Sequence, residues 1–240
     1  MQEIQRFVRA INESKNIVFF GGAGVSTESG IPDFRGTDGM YHTKYKYPPE
    51  TILSHDFFVS HTEEFFEFYR NKMIYLDAQP NVTHKTLAEL EKIGKLSAVV
   101  TQNIDGLHEK AGSKKVYALH GSVYRNHCLK CRKQYSVEFV AHSIGVPKCE
   151  CGGIVKPDVV LYGEQLPNDA VCGAIDAIAS CDCLVVGGTS LTVYPAASFV
   201  RYFGGKYLVL INKQPTSLDD SASIALHCGL GEVFSSLKLC

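Results

Sequence analysis

Residues 16–27 read Asn-Ile-Val-Phe-Phe-Gly-Gly-Ala-Gly-Val-Ser-Thr. The apolar run from Ile17 to Phe20 is β-branched and aromatic, too short for a helix, and stops at glycines. This is the pattern of a buried strand running into a turn. Glycines at a strand end let backbone N–H groups approach a phosphate, and the helix start that follows adds positive dipole. A full dinucleotide fingerprint needs G-x-G-x-x-G. Gly22 and Gly24 supply the first pair, Thr27 occupies the third position, and no Lys follows to make a Walker loop. Taken alone, the loop reads equally as a structural turn.

The same grammar recurs outward from it. Leu96–Thr101, Lys115–Leu119, Val159–Leu161, Cys183–Val186 and Tyr207–Ile211 read as strands. Between them lie helical patterns. The first carries Ile4, Phe7, Val8 and Ile11 on one face. Ser60–Asp77 opens with a capping box of Ser60 and Glu63. Thr83–Ile93 and Gly106–Ala111 follow, and a last helix is capped by Asn168, with Val171, Ile175 and Ile178 inward. Strands alternating with helices predict an α/β fold with a Rossmann-like, mostly parallel sheet. Ligands of such sheets bind beyond the carboxyl ends of the strands. The segments GGAGVS, TQNIDG, LHGS, GGTS and IN all fall there. Residues 31–79 and 122–155 break the alternation. They are expected to form a smaller helical and zinc-binding domain, inserted into a Rossmann-like domain of residues 1–30, 80–121 and 156–240.

Composition narrows the function. Among 240 residues, 24 Lys plus Arg face 25 Asp plus Glu, for a formal net charge of -1. That balance speaks against a dedicated nucleic-acid binder. The hydrophobic share of 45% against 20% charged fits a globular chain. No apolar run approaches the length of a membrane span. The first residues lack the basic and apolar regions of a signal peptide. Nine cysteines, an odd number without an export signal, point to free thiols and metal ligands. The expectation is a cytoplasmic protein.

Four of those cysteines cluster. Cys128-Leu-Lys-Cys131 and Cys149-Glu-Cys151 form two close pairs with the spacing of a zinc ribbon. The second pair is C-x-C, a tighter knuckle than the usual C-x-x-C. With no His or carboxylate completing an open three-ligand site, the metal reads as structural. Cys172, Cys181, Cys183 and Cys240 read as core or surface thiols.

The polar strand ends carry the remaining chemistry. Gln102-Asn103-Ile104-Asp105 sets three hydrogen-bonding side chains at one strand end, where they also suit helix caps. His120-Gly121-Ser122 brings a histidine to the next, with the attributes of a general base. Gly188-Thr189-Ser190 and Asn212 offer hydroxyl and amide groups suited to a ribose. No G-x-S-x-G elbow marks a serine hydrolase.

Taken in order, GAGVSTESGIPDFRG (22–36), TQNIDGLHEKAG (101–112), LHGS (119–122), KPDVVLYGE (156–164), GTSL (188–191) and IN (211–212) resemble the sirtuins, NAD-dependent protein-lysine deacylases. They cover nearly the whole chain, which is similar to a minimal bacterial-type sirtuin. The resemblance implies that Gly22, Ala23, Gly24 and Thr27 line the NAD phosphates and ribose, and that Phe34 and Arg35 cover the reacting ribose and nicotinamide. Asn103, Ile104 and Asp105 would form the nicotinamide pocket, with Gln102 on the ribose side. Gly188, Thr189, Ser190 and Asn212 would hold the adenosine half, with Cys228 at the adenine. Val159, Val160, Leu161, Tyr162, Gly163 and Glu164 would form an edge to which a substrate peptide adds as a strand, opposite Leu191–Tyr194. Cys128, Cys131, Cys149 and Cys151 would hold zinc. His120 and Asn103 would be catalytic, His120 as general base. NAD would be consumed, giving nicotinamide, free lysine and O-acyl-ADP-ribose. Tyr162 stands where the family often has Phe.

The implied partners are acetylated-lysine proteins or peptides, acted on by a monomer without membrane or nucleic-acid contact. A protein mono-ADP-ribosyltransferase and a longer-chain or succinyl deacylase are the rivals within the fold. A non-catalytic NAD-sensing zinc adapter would need a damaged NID or HG motif, and a dehydrogenase would need the missing glycine. Succinyl-preferring sirtuins share a Tyr-x-x-Arg beside the acyl pocket. Here Tyr69 is followed three residues on by Lys72, so acetyl-lysine is the expected substrate.

Overall fold

The computed structural model describes residues 2–34 and 45–238. Helix α1 (Gln2–Glu13) leads into strand β1 (Ile17–Gly21). The chain then runs through two 3₁₀ turns, Ala23–Val25 and Thr27–Ser29. Short helices α2 (Pro49–Ile52) and α3 (His55–Ser60) precede α4 (Thr62–Lys72) and α5 (Val82–Lys92). Next come β2 (Leu96–Thr101), α6 (Leu107–Ala111), β3 (Val116–Ala118), β4 (Gly121–Cys128), β5 (Gln134–Tyr135), α7 (Val137–Ala141) and β6 (Val155–Val159). Helix α8 (Asn168–Ser180), β7 (Cys183–Gly187), a 3₁₀ segment Ala196–Tyr202, β8 (Tyr207–Ile211), β9 (Ile224–Leu226) and α9 (Leu230–Phe234) complete the chain.

Six strands form one sheet in the order β3-β2-β1-β7-β8-β9. All five pairings are parallel. Numbered within the sheet, this is the doubly wound order 3-2-1-4-5-6, whose direction reverses between β1 and β7. The alternation of strand side chains builds a core on each face. Ile17, Phe19, Val185, Val209 and Ile211 pack against α1, α5 and α9. Val18, Phe20, Leu184, Val186 and Leu210 pack against α8 and the 196–202 segment. Every residue of β1 is buried, because a central parallel strand is covered on both sides.

A second, antiparallel sheet has the order β5-β4-β6. Its core joins Val123, Val155 and Val159 to α2, α3, α4 and α7, and is rich in aromatic rings: Phe57, Phe58, Phe65, Phe66, Phe68 and Tyr69. Val159 ends β6 in this sheet, so the apolar Val159–Leu161 run is the edge of a hairpin sheet and not a strand of the large one.

Helix starts differ from the expected caps. Ser60 belongs to α3 and bonds back to Asp56 O at 2.6 Å, while α4 begins after His61 with no side-chain cap. Asn168 is the first helical residue of α8, behind Pro167. The capping box lies instead on α5. Asn81 accepts from the N–H of Thr83 and His84, and His84 Nδ1 accepts from Asn81 N–H, an arrangement worth about 1 kcal/mol. Among the described residues, no helix is long and apolar enough to cross a membrane.

The four thiols converge at the tip of the small sheet. Cys128 ends β4, Cys131 sits in the turn after it, and Cys149 and Cys151 occupy the turn before β6. Their sulfurs lie within 4.8 Å of one another, with Cys128–Cys151 and Cys131–Cys149 each 3.5 Å apart. Four thiolates at the Zn–S bond length of about 2.3 Å stand about 3.8 Å apart, so the cluster fits a tetrahedral zinc. Backbone N–H groups of Lys130, Cys131 and Cys151 donate to Cys128 and Cys149 sulfurs. Such donation steadies thiolate charge. Metal analysis is therefore expected to find about one zinc per chain. Cys131→Ala is expected to unfold the β5-β4-β6 sheet, because structural zinc contributes about 10–16 kcal/mol. Metal-free protein with that sheet still protected from hydrogen exchange would refute the assignment.

Candidate active site

The strand order reverses between β1 and β7, the place where ligands of such sheets bind beyond the carboxyl ends of the strands. Two loops meet there. Gly22 N–H donates to Gly187 O at 3.2 Å and Gly24 N–H to Gly188 O at 2.8 Å. A Cβ on Gly24 would lie 2.8 Å from Gly188 Cα, so glycine at 24 is imposed by backbone against backbone. Gly188 in turn donates to Ile211 O at 3.0 Å, which ties β8 to the junction. Thr27 Oγ donates to Gly24 O at 3.0 Å and closes the loop on itself.

The β2 end supplies the polar side chains. Gln102 N–H donates to Gly21 O at 2.9 Å, and its side-chain amide donates to Thr189 Oγ at 3.1 Å. Asn103 Nδ2 donates to Ser26 Oγ at 3.1 Å, and Ser26 Oγ donates to Asp105 at 2.6 Å. The other Asp105 oxygen accepts from Leu107 N–H and starts α6. Burial raises the Asp105 pKa above the ordinary carboxylate value, against the Ser26 and Leu107 hydrogen bonds that lower it. Ile104 packs on the core of the smaller sheet, and its carbonyl accepts from Val123 N–H at 3.0 Å. The NID segment thus faces both sheets.

His120 lies between β3 and β4. Its Nδ1 stands 2.9 Å from Gln102 O. A carbonyl only accepts, so Nδ1 carries the proton and Nε2 keeps its lone pair. Burial lowers the His120 pKa, with the Gln102 carbonyl acting the other way. The neutral imidazole is therefore the favoured form. His120 O accepts from Val160 N–H at 3.0 Å, which joins this residue to the segment after β6.

That segment is tied on one side. Tyr162 N–H donates to Leu53 O and Tyr162 O accepts from His55 N–H, both at 2.9 Å. Glu164 N–H donates to Leu161 O at 2.9 Å, so residues 161–164 close a turn, with Gly163 at φ 90°. The Glu164 carboxylate accepts from Leu161 N–H at 3.0 Å and from Lys156 Nζ at 3.2 Å.

The expected residues divide accordingly. Gly22 and Gly24 meet Gly187 and Gly188 backbone to backbone, Gln102 bonds Thr189 and His120, and Asn103 and Asp105 share Ser26, with Ala23 inside the glycine loop. Ser190 is exposed and its hydroxyl pairs with Thr192 at 2.8 Å. Asn212 stands at the end of β8 with its amide on Gln214 O. Cys228 follows β9 and packs at the rim of the α1–α5–α9 core. Phe34 packs against the smaller core. Arg35 and Cys240 lie outside the described residues. Ser26 is the residue that sequence reasoning passed over. It is buried and links Asn103 to Asp105, and its position inside the glycine loop, between Gly24 and Thr27, was the available signal. Tyr69 is wholly buried and stacked on Phe65 at 5.6 Å. Lys72 lies over the Tyr45 ring at 5.9 Å, and Arg70 donates to Gly145 O at 2.8 Å.

Comparison with known proteins agrees with this geometry. The chain is 54% identical to the NAD-dependent protein deacetylase of Clostridium acetobutylicum, over 99% of this chain and 98% of that protein. A solved Sir2 variant with deacetylated p53 peptide and 3′-O-acetyl ADP-ribose shares the fold at TM-score 0.89 and 42% identity, covering 97% of this chain and 96% of that one. A Sir2 complex with p53 peptide and NAD+ matches at TM-score 0.85 and 41% identity, over 97% and 95%. The Sir2 family model matches residues 22–195. With that match spanning most of the chain, the protein belongs to the Sir2 family.

Proposed function

We propose that this chain is an NAD-dependent protein-lysine deacetylase, transferring the acetyl group of acetyl-lysine to ADP-ribose with release of nicotinamide. The observation that carries the reading is the placement of His120. Its Nδ1–H is spent on Gln102 at the cofactor crevice, and its carbonyl holds Val160 at the peptide-side segment. One neutral imidazole therefore stands where both substrates meet.

NAD, when bound, supplies a ribose–nicotinamide bond whose cleavage leaves an electrophilic anomeric carbon for the acyl oxygen. The remaining work belongs to side chains. The 22–27 loop, whose Gly22 and Gly24 N–H groups are taken by Gly187 and Gly188, lines the phosphates and ribose with Ala23 and Thr27. Asn103, Ile104 and Asp105 hold the nicotinamide, with Ser26 fixing the first and last of them. Gln102 orients the ribose, and Gly188, Thr189, Ser190, Asn212 and Cys228 take the adenosine half. Phe34, together with Arg35, covers the reaction from water. His120 Nε2 accepts a proton from a ribose hydroxyl, freeing that oxygen to attack the acyl carbon. A peptide strand adds beside Val159–Glu164, facing Leu191–Tyr194. Cys128, Cys131, Cys149 and Cys151 hold zinc away from bond breaking. The separate aromatic core supports treating 31–79 and 122–155 as one small domain beside the Rossmann-like remainder. We read the chain as a cytoplasmic monomer acting on acetylated proteins, and its balanced charge speaks against a nucleic-acid substrate.

Replacing His120 with Ala is expected to leave NAD binding intact and to lower deacetylation by about 10²–10⁴-fold. Turnover near that of the wild type would remove His120 from the chemistry. The pH dependence follows from its burial. The base must be neutral and burial puts its pKa below the ordinary histidine value, so the acid limb of kcat/KM is expected to be centred below about pH 6.5, with the rate rising to a plateau at higher pH. An acid limb centred above pH 7 would contradict this. Neither Tyr69, Lys72 nor Arg70 offers a clamp for a distal carboxylate, and an unpaired buried charge is costly. An acetylated peptide is therefore expected to exceed its succinylated counterpart in kcat/KM by about tenfold or more. The reverse order, measured in direct competition, would show that another cation serves.

A further inference from the structure

We propose that Asn81, at the start of α5, is a positioning residue for the cofactor crevice, acting through the 25–29 loop; this rests on the NAD reading above. The Asn81 amide reaches two elements at once. Its Nδ2 donates to Val25 O at 2.8 Å and to Ser29 Oγ at 3.0 Å. Its Oδ1 accepts from Thr83 N–H at 3.0 Å and His84 N–H at 3.4 Å. The orientation of the amide is determined, since reversal would set its NH₂ against two N–H donors and its oxygen against a carbonyl.

The loop it grips needs such help. Residues 22–30 contain two single 3₁₀ turns, closed by i to i+3 bonds such as Ser26 N–H to Ala23 O and Gly30 N–H to Thr27 O. Short 3₁₀ turns have poor hydrogen-bond geometry and do not hold themselves. Asn81 binds the residues on both sides of Ser26, the hydroxyl that orients Asn103 and Asp105. At a second point, the Glu28 carboxylate accepts from Gly231 N–H at 3.0 Å in the first turn of α9. A Cβ at Gly231 would fall 2.0 Å from Glu28 Oε2, so the two are packed without slack. The loop is therefore tied to the starts of both α5 and α9, with Asn81 as the anchor at α5.

A loop freed from its anchor samples other conformations, and NAD must then select the competent fraction. The cost appears in NAD affinity and not in the peptide. Asn81→Asp separates this role from helix capping. The carboxylate still accepts from Thr83 and His84, but it can no longer donate to Val25 O, which it repels. Ser29→Ala removes the other contact and leaves the cap untouched.

The test has two readouts. In the ligand-free protein, both variants are expected to speed hydrogen exchange at Val25–Ile31 by about tenfold, while β1 and β7 stay as protected as in the wild type. In steady state, N81D is expected to raise KM for NAD about tenfold, with KM for acetylated peptide and kcat within about twofold of wild type. Unchanged exchange in the loop would overturn the proposal. So would an equal rise in both KM values alongside a lowered melting temperature, since that is the signature of general destabilisation. If wild-type protein releases no nicotinamide from NAD, the catalytic reading fails, whereas the exchange measurement still decides whether Asn81 holds the loop.

Discussion

Two backbones in contact at the centre of the sheet set the rest of the molecule. Gly24 lies against Gly188 with no room for a side chain between them. The contact exists because strand order reverses between β1 and β7, and it is the place where a parallel sheet leaves strand ends uncovered. Gln102 is set by its hydrogen bond to Gly21, Thr189 by following Gly188, and His120 by Gln102. A shift of the glycine contact would therefore move His120 as well as the 22–30 loop.

Burial then tunes the groups that this geometry assembles. Desolvation pushes Asp105 upward and His120 downward, so both are drawn toward their neutral forms. Hydrogen bonds decide how far. Ser26 and Leu107 support the Asp105 carboxylate, and the Gln102 carbonyl fixes which imidazole nitrogen is basic. The site thus holds an uncharged imidazole and an oriented carboxylate, which suits a reaction that builds positive charge on a sugar. The zinc cluster stands at the tip of the second sheet, on Cys128 at the far end of β4 from His120, and its effect on catalysis is through that sheet.

Much of this was legible in the sequence because strand ends announce themselves. An apolar run such as Ile17–Phe20 that stops at glycines, or Leu96–Thr101 that stops at Gln102-Asn103, marks both a strand and the ligand side of a sheet. The cysteine spacing likewise identified a metal cluster. Helix starts were harder. Ser60 and Asn168 have the right chemistry for caps, yet Ser60 bonds backward within α3 and Asn168 lies one residue inside α8. Asn81 is the residue whose side chain caps and also reaches the loop, a distinction set by tertiary position alone. The antiparallel β5-β4-β6 sheet escaped notice because strands of two to eight residues, interrupted by a metal knuckle, show no clean alternation. Tyr69 illustrates the same limit: helical spacing placed it on a face, but only packing shows that the face is the aromatic core.

The central claim is that NAD cleavage and acyl removal are one reaction at His120. Mass spectrometry of products from NAD and an acetylated peptide tests it most directly. The account predicts nicotinamide, deacetylated peptide and O-acetyl-ADP-ribose in equal amounts, with no nicotinamide above background when the peptide is unacetylated. A peptide that keeps its acetyl group and gains ADP-ribose, or free acetate formed while NAD stays intact, would contradict it.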